Sequence, residues 1–300
     1  MRRILYCLLS AVMLLTVLSG CTKSTGGLDP TIGTVAKTED GNYYYEENRI
    51  KVISQNVRHP NADSPNSTEE RSTRLYTILE KYDADIIGFQ EMRPWWVDMF
   101  PKLLLVDEYD HYTKYRHDSD KEGLTICWKT EKFEALDEGV FWVSDTPDEP
   151  SKYEEAKYYR ITIWVKLKEL TTGTEFFVFN THFDNTAAVR VKSAQVLKEQ
   201  MEEICGDTPA FIVGDFNCTD QSEEYQELVS FLRDTAAEKN DLTGTFHDYG
   251  TVPAEEQKRI DYCFLRDESI IAETYKVLDE PIDGNYCSDH HGIYMELILT

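Results

Sequence analysis

Six short stretches carry the residues able to do chemistry. They are Ser54-Gln55-Asn56, Gly88-Phe89-Gln90-Glu91, Asn180-Thr181-His182, Gly214-Asp215-Phe216-Asn217, Asp261 inside Arg259-Ile260-Asp261-Tyr262, and Ser288-Asp289-His290. Glu91, Asp289 and the amide oxygen of Asn56 are hard oxygen donors, suited to Mg²⁺ or Mn²⁺ and not to a thiolate metal. A histidine with a carboxylate behind it can take a proton from water near neutral pH. Asn217, His182 and Arg160 are donors able to hold an anionic group as charge develops on it. Metal, base and donors together describe attack of water on a phosphorus centre. The chain has no G-x-x-x-x-G-K-[ST] loop and no dinucleotide fingerprint, so a nucleotide-driven kinase or ATPase would lack its phosphate cradle.

Each stretch closes or borders an apolar run. Phe211-Ile212-Val213-Gly214 ends in Asp215 and Asn217, which lie two apart and so on the same side of an extended chain. Taken singly, a strand-terminal Asp or Asn is an ordinary turn residue or helix cap. Six such ends in one chain point to a shared site where neighbouring strands finish. The runs 49–56, 84–91, 124–129, 161–170, 175–184 and 210–217 read as strands, as do 259–265 and 290–299. A capping box, Ser67-x-x-Glu70, opens a helix with Leu75, Ile78, Leu79 and Tyr82 on one face. Helices are also expected over 187–204 and 222–232. Crossover helices are too few for a purely parallel sheet. The expected class is α/β (α+β), with two β-sheets packed face to face and helices outside.

The ends and composition set bounds. Arg2 and Arg3 precede the apolar run Ile4–Leu18 and then Leu18-Ser19-Gly20-Cys21, a pattern expected of a secretory signal over residues 1–20. Leu18-Ser19-Gly20-Cys21 also resembles a bacterial lipobox. That implies lipidation at Cys21, export to the cell envelope, and membrane attachment through the lipid. Residues 21–42, rich in Thr, Gly and Lys, read as a flexible tether, and 43–300 as one domain, a monomer with no protein partner expected. Removal of Arg2 and Arg3 leaves 29 basic residues against 55 acidic, a formal charge of about −26. Such a surface disfavours a processive nuclease, which needs a basic stripe along its substrate. Cys127, Cys205, Cys218, Cys263 and Cys287 form no C-x-x-C pair and are expected mostly as buried free thiols, with one unassigned disulfide left open.

The ordered motifs SQN, GFQE, NTHFD, VGDFN, RIDYCFL and SDHHG resemble the endonuclease/exonuclease/phosphatase superfamily, with the fold of deoxyribonuclease I, over residues 49–300. The resemblance implies a four-layer αββα sandwich, Mg²⁺ or Mn²⁺ as cofactor, and hydrolysis of a phosphate ester, with a phosphodiester favoured. It implies Glu91 as principal metal ligand, with Asn56 and Asp289 beside the metal. His290 would be the general base, oriented by Asp261, and Asp215 would serve the nucleophile or leaving group. Asn217 would hold the phosphate, His182 would stabilise the pentavalent phosphorus, and Arg160 would face the phosphate. His247, in Gly244-Thr245-Phe246-His247, is a candidate to overhang the substrate. The competing structural readings are an Asp261–Arg259 ion pair, an Asp184 anchor for Arg190, and a packing cluster of Trp95 and Trp96. His291 is expected to point away from the site. Two other functions use the same fold: a binding module without chemistry, or a sphingomyelinase-like phospholipase C. The latter would insert an apolar segment into a bilayer, for which Trp96–Val106 is the one candidate stretch.

Overall fold

The computed structural model describes residue 28, residues 31–38, residue 41, residues 43–103 and residues 108–300. The signal segment and Cys21 lie outside the described residues, as do residues 104–106 of the Trp96–Val106 stretch. A short antiparallel ribbon, β1 (Val35–Lys37) with β2 (Tyr43–Tyr45), precedes β3 (Arg49–Asn56). Helix α1 (Thr68–Tyr82) leads to β4 (Ile86–Met92), and α2 (Pro94–Leu103) to the hairpin β5 (Tyr109–Tyr115) and β6 (Gly123–Lys129). Strands β7 (Phe133–Trp142), β8 (Ile161–Glu169) and β9 (Glu175–His182) follow, and α3 (Ala187–Cys205) returns the chain to β10 (Ala210–Asp215). Then come α4 (Glu223–Val229), β11 (Arg233–Asp234), α5 (Thr235–Lys239), β12 (Asp261–Leu265), β13 (Ile270–Leu278) and β14 (Gly292–Leu299). Ribbon β1–β2 reaches into the segment whose composition reads as tether. The ring-rich Tyr43-Tyr44-Tyr45 supplies the partner strand, and Tyr44 is buried.

Two mixed six-stranded sheets result, in the orders β11-β12-β10-β9-β8-β7 and β13-β14-β3-β4-β6-β5. The two parallel pairs, β3–β4 and β9–β10, are the ones joined through helices α1 and α3, as parallel neighbours require. One apolar cluster fills the space between the sheets, with Ile50, Val52 and Ile126 facing Ile163, Val178 and Val213. Leu197 and Met201 of α3 and Leu228 of α4 cover one outer face. Leu75, Ile78 and Leu79 of α1, with Trp96 of α2, cover the other. Four layers, αββα, follow from strands that are apolar on both faces. Helix α1 begins as expected: Ser67 Oγ accepts from the Glu70 amide at 3.3 Å and the Glu70 carboxylate accepts from the Ser67 amide at 3.2 Å.

A buried amide pair crosses the apolar interface beneath the strand ends. Gln90 Nε2 donates to Asn180 Oδ1 at 2.8 Å, and Asn180 Nδ2 donates to the carbonyls of Phe89 and Thr125, both at 2.9 Å. These fully buried amides fix how the two sheets meet at the edge where the motifs lie. Five cysteines, Cys127, Cys205, Cys218, Cys263 and Cys287, are buried free thiols.

Candidate active site

Strands β3, β4, β9 and β10 all end at one edge of the sandwich, where antiparallel β12 begins and the segment before β14 arrives. Register does much of the placing: Asp215 is the cross-strand partner of His182 on one side and of Asp261 on the other. Asn56 pairs with Gln90, one residue before Glu91. Glu91 sits at an irregularity in the β4–β6 ladder with φ 59°, a left-handed conformation that a non-glycine residue adopts at a cost. Asn217 (φ 51°) and Arg58 (φ 57°) share it, so three residues of one cleft are held in strained backbone.

Asp215 is the centre. Its Oδ2 accepts from Asn56 Nδ2 at 2.9 Å and lies 3.4 Å from His182 Nε2 and 3.8 Å from His290 Nε2, while Oδ1 accepts from the Asn217 amide at 2.9 Å. Burial, and next the charge of Asp261, push its carboxyl up to about 7. His290 Nδ1 is 2.9 Å from Asp261 Oδ2. Burial opposes the charged imidazole, but the charge of Asp261 and its hydrogen bond push His290 up to about 10. His182, buried and then repelled by Arg160, is held well below the usual histidine range and is neutral. Asp261 thus draws His290 toward its charged form, while burial and the same carboxylate draw Asp215 toward its neutral form.

Glu91 accepts from the His59 amide at 2.9 Å and lies 3.2 Å from His59 Nδ1. Burial works to raise its pKa, yet the His59 hydrogen bond and the neighbouring imidazole and guanidinium groups hold it well below the usual carboxylate range. The Arg58 guanidinium lies between two carboxylates, with Nε 3.3 Å from Asp289 and Nη1 4.0 Å from Glu91. Across the cleft, Arg160 is buried and shares Glu122 with Arg116 and Arg93. Arg116 binds Glu122 most tightly, leaving Arg160 at 3.4 Å, and Arg160 Nε has no partner. The cleft, about 550 Å³, is also lined by Lys157, Tyr158, Phe246, Lys258 and Ile260.

The structure therefore gathers Glu91, His182, Asp215, Asn217, His290 and Arg160 along one cleft, with Asn56, Asp261 and Asp289 buried directly beneath. It does not bring His247 there. That side chain is fully buried, accepts from the Gly250 amide through Nδ1, and stacks on His291 at 3.8 Å; its neighbour Phe246 faces the cleft instead. The Gly-rich loop turns inward because its amides at His247 and Asp248 donate to the Asp289 carbonyl. His291 points away from the cleft, as expected. Arg259 pairs with Asp234 and Asp220, leaving Asp261 to His290. Arg190 grips Glu224 and the carbonyls of Asp184 and Asn185. Trp96 is buried against Arg71 and donates to the Arg58 carbonyl, so it is packing and no substrate wall. Unforeseen were Arg58, His59, Glu122, Lys157, Asn185, Lys258 and Thr245. They sit in loops or at a strand start, where no periodicity marks them.

A model of the Endonuclease/Exonuclease/phosphatase family matches residues 53–290. The chain belongs to that family. Its members hydrolyse phosphoester bonds. Among solved structures, a family protein from Bacteroides thetaiotaomicron is 32% identical with a TM-score of 0.77, over 84% of this chain and 98% of that one. A mannosyl-6-phosphatase from the same organism is 31% identical with a TM-score of 0.76, over 83% and 100%. In sequence, the uncharacterized protein L388 of Acanthamoeba polyphaga mimivirus is 30% identical over 183 residues, 57% of this chain and 68% of the viral protein.

Divalent-metal use is typical of the family, and the residues present fit a hard cation. Glu91 and Asp289 offer oxygen only, and the Arg58 guanidinium already lies between them, where positive charge is in demand; Asn56 turns its Nδ2 to Glu91 and Asp215, while its Oδ1 accepts from the Arg58 amide. A second grouping, Asp215, Asp261 and His290, brings ligand atoms within 4.8 Å of one another. There, Asp261 Oδ2 and His290 Nδ1 are hydrogen-bonded to each other at 2.9 Å.

Proposed function

We propose that the protein is a metal-dependent phosphoric ester hydrolase in which Glu91, with Asn56 and Asp289, holds Mg²⁺ or Mn²⁺. The observation that carries this reading is the convergence of Glu91, Asp215, His182 and His290 with the buried Arg160 guanidinium along one cleft. A bound divalent cation would supply Lewis-acid charge at a phosphoryl oxygen. Water attacks phosphorus, and its proton passes to Asp215 Oδ2. In this reading Asp215 takes the base's part that the resemblance gives to His290, which Asp261 orients and which, with Asn217 and His182, faces the developing negative charge. The ester bond breaks opposite the attacking water, and the leaving oxygen takes up a proton from solvent, to which Asp215 returns the one it has accepted.

The diester favoured by resemblance is joined by a second reading, a phosphomonoester on a hydroxyl-rich leaving group. The 31% identity to a mannosyl-6-phosphatase supports it. Export and anchoring at Cys21 belong to the same proposal, supported by Arg2-Arg3, the apolar Ile4–Leu18 and the lipobox-like Leu18-Ser19-Gly20-Cys21.

The test incubates the protein with Mn²⁺ or Mg²⁺ against 4-nitrophenyl phosphate, bis(4-nitrophenyl) phosphate, hexose phosphates and an oligonucleotide. Turnover that a chelator abolishes is expected, with Glu91→Ala losing about 100-fold or more while keeping its fold. Undiminished turnover in Glu91→Ala removes the metal assignment; hydrolysis of the monoesters alone decides for the second reading.

A further inference from the structure

We propose that Thr245 is a positioning residue for His290, acting through Asp261; the inference rests on the functional reading above. Thr245 is fully buried. Its Oγ1 accepts from the amides of Ile260 and Asp261, both at 3.1 Å, so the hydroxyl's lone pairs are taken. Its single proton has one acceptor, Asp261 Oδ2, at 2.6 Å. That same oxygen binds His290 Nδ1, while Asp261 Oδ1 is buried with no partner.

Two donors on one oxygen fix the carboxylate about its Cβ–Cγ bond. With the hydroxyl gone, Asp261 is held by His290 alone and can swing, and the imidazole swings with it. His290 Nε2 then no longer keeps its place 3.8 Å from Asp215. Thr245 is well anchored for this task. Its amide donates to the Lys258 carbonyl at 2.9 Å, and its own carbonyl accepts from the His291 amide at 2.7 Å. Phe246 forms bridges to both Lys258 and His290. One loop thus ties together the two strand ends that carry Asp261 and His290, and the hydroxyl is the point where that tie meets the site.

The test compares Thr245→Val, which is nearly isosteric but lacks the hydroxyl, with Thr245→Ser, which restores it, using the full chain. With Mn²⁺ and the two nitrophenyl esters as probes, Thr245→Val should lower kcat about tenfold with KM within about twofold, as expected for one charge-assisted hydrogen bond. Thr245→Ser should recover most of the loss. The downfield Nδ1 proton of His290, assigned with His290→Gln, should move in Thr245→Val and return in Thr245→Ser. Thr245→Ala, which deletes the hydroxyl without adding a methyl, is the second deletion variant if valine prevents folding. An unmoved resonance with unchanged kcat, or a kcat loss that serine does not reverse, overturns the proposal. If the unaltered protein cleaves none of the phosphate esters named above, the functional reading fails, and the resonance alone decides the role of Thr245.

Discussion

At the scale of single residues, burial and partners divide labour among groups of the same type. Asp215 and Asp184 are both aspartates bordering the cleft region, yet they are driven in opposite directions. Asp215 is pushed up because burial and Asp261 outweigh its donors. For Asp184, burial also works to raise the pKa, but the amides of Tyr158 and Thr186 donate to it, each at 2.9 Å, and hold it below the usual range. Those bonds fasten the Lys157–Tyr158 wall of the cleft to the start of α3. A folded-state pKa below the unfolded value of about 3.9 means the fold prefers the ionised form. Its stabilisation is therefore fully present above about pH 4 and is lost as pH falls through the folded value. Denaturant titrations of Asp184→Asn should show lower stability than the unaltered protein at about pH 6, with the two curves converging toward about pH 3. A gap that stays constant over that range would show that the carboxylate's charge plays no part.

At the scale of elements, the strands had to end together for any of this chemistry to exist. Gly214, one residue before Asp215, has φ 156°, and a Cβ built there would lie 2.2 Å from the Thr181 carbonyl oxygen. Strand β10 can approach β9 so closely only without a side chain at that point. Gly214→Ala should cost ~1–3 kcal/mol of stability by denaturation and lower kcat as Asp215 is pushed off register. Full activity in that variant would mean the strand end tolerates the shift. The same elements show what was legible in sequence. Strands whose faces are both buried, such as β4, β6 and β10, stand out as apolar runs, and the polar ends of β4, β9 and β10 pointed to Glu91, His182 and Asp215, which line the cleft. Edge strands did not stand out. Strand β5 is Tyr-Asp-His-Tyr-Thr-Lys-Tyr at the margin of its sheet, and β7 exposes Glu134 to Glu138 in succession, so neither shows alternation. Strand β13, also an edge, is interrupted by an irregularity at Ala272–Thr274. Arg58, Glu122 and Thr245 escaped notice for a related reason: their roles come from partners far along the chain, and no spacing rule encodes those.

At the scale of the whole molecule, two fields oppose each other. The chain carries a formal charge of −24, yet its cleft is lined by Arg58, Lys157, Arg160 and Lys258 against Glu91, Glu122 and Asp215. A small phosphate ester inside the cleft meets the local, mostly unscreened field. A long polyanion must first cross the far field, which repels it. Screening acts on the second more than the first, because the Debye length shrinks from about 30 Å at 0.01 M salt to about 10 Å at 0.1 M. For an oligonucleotide, kcat/KM should therefore rise several-fold over that range, opposite in sign to the salt dependence of a protein that tracks the backbone with a basic surface. For 4-nitrophenyl phosphate the change should be small. Measuring both substrates across the same salt series, at fixed Mn²⁺, separates the two fields. A fall for the oligonucleotide would mean that the basic wall of Lys157, Arg160 and Lys258 reaches far enough to guide nucleic acid, and the small-ester reading would lose its electrostatic support.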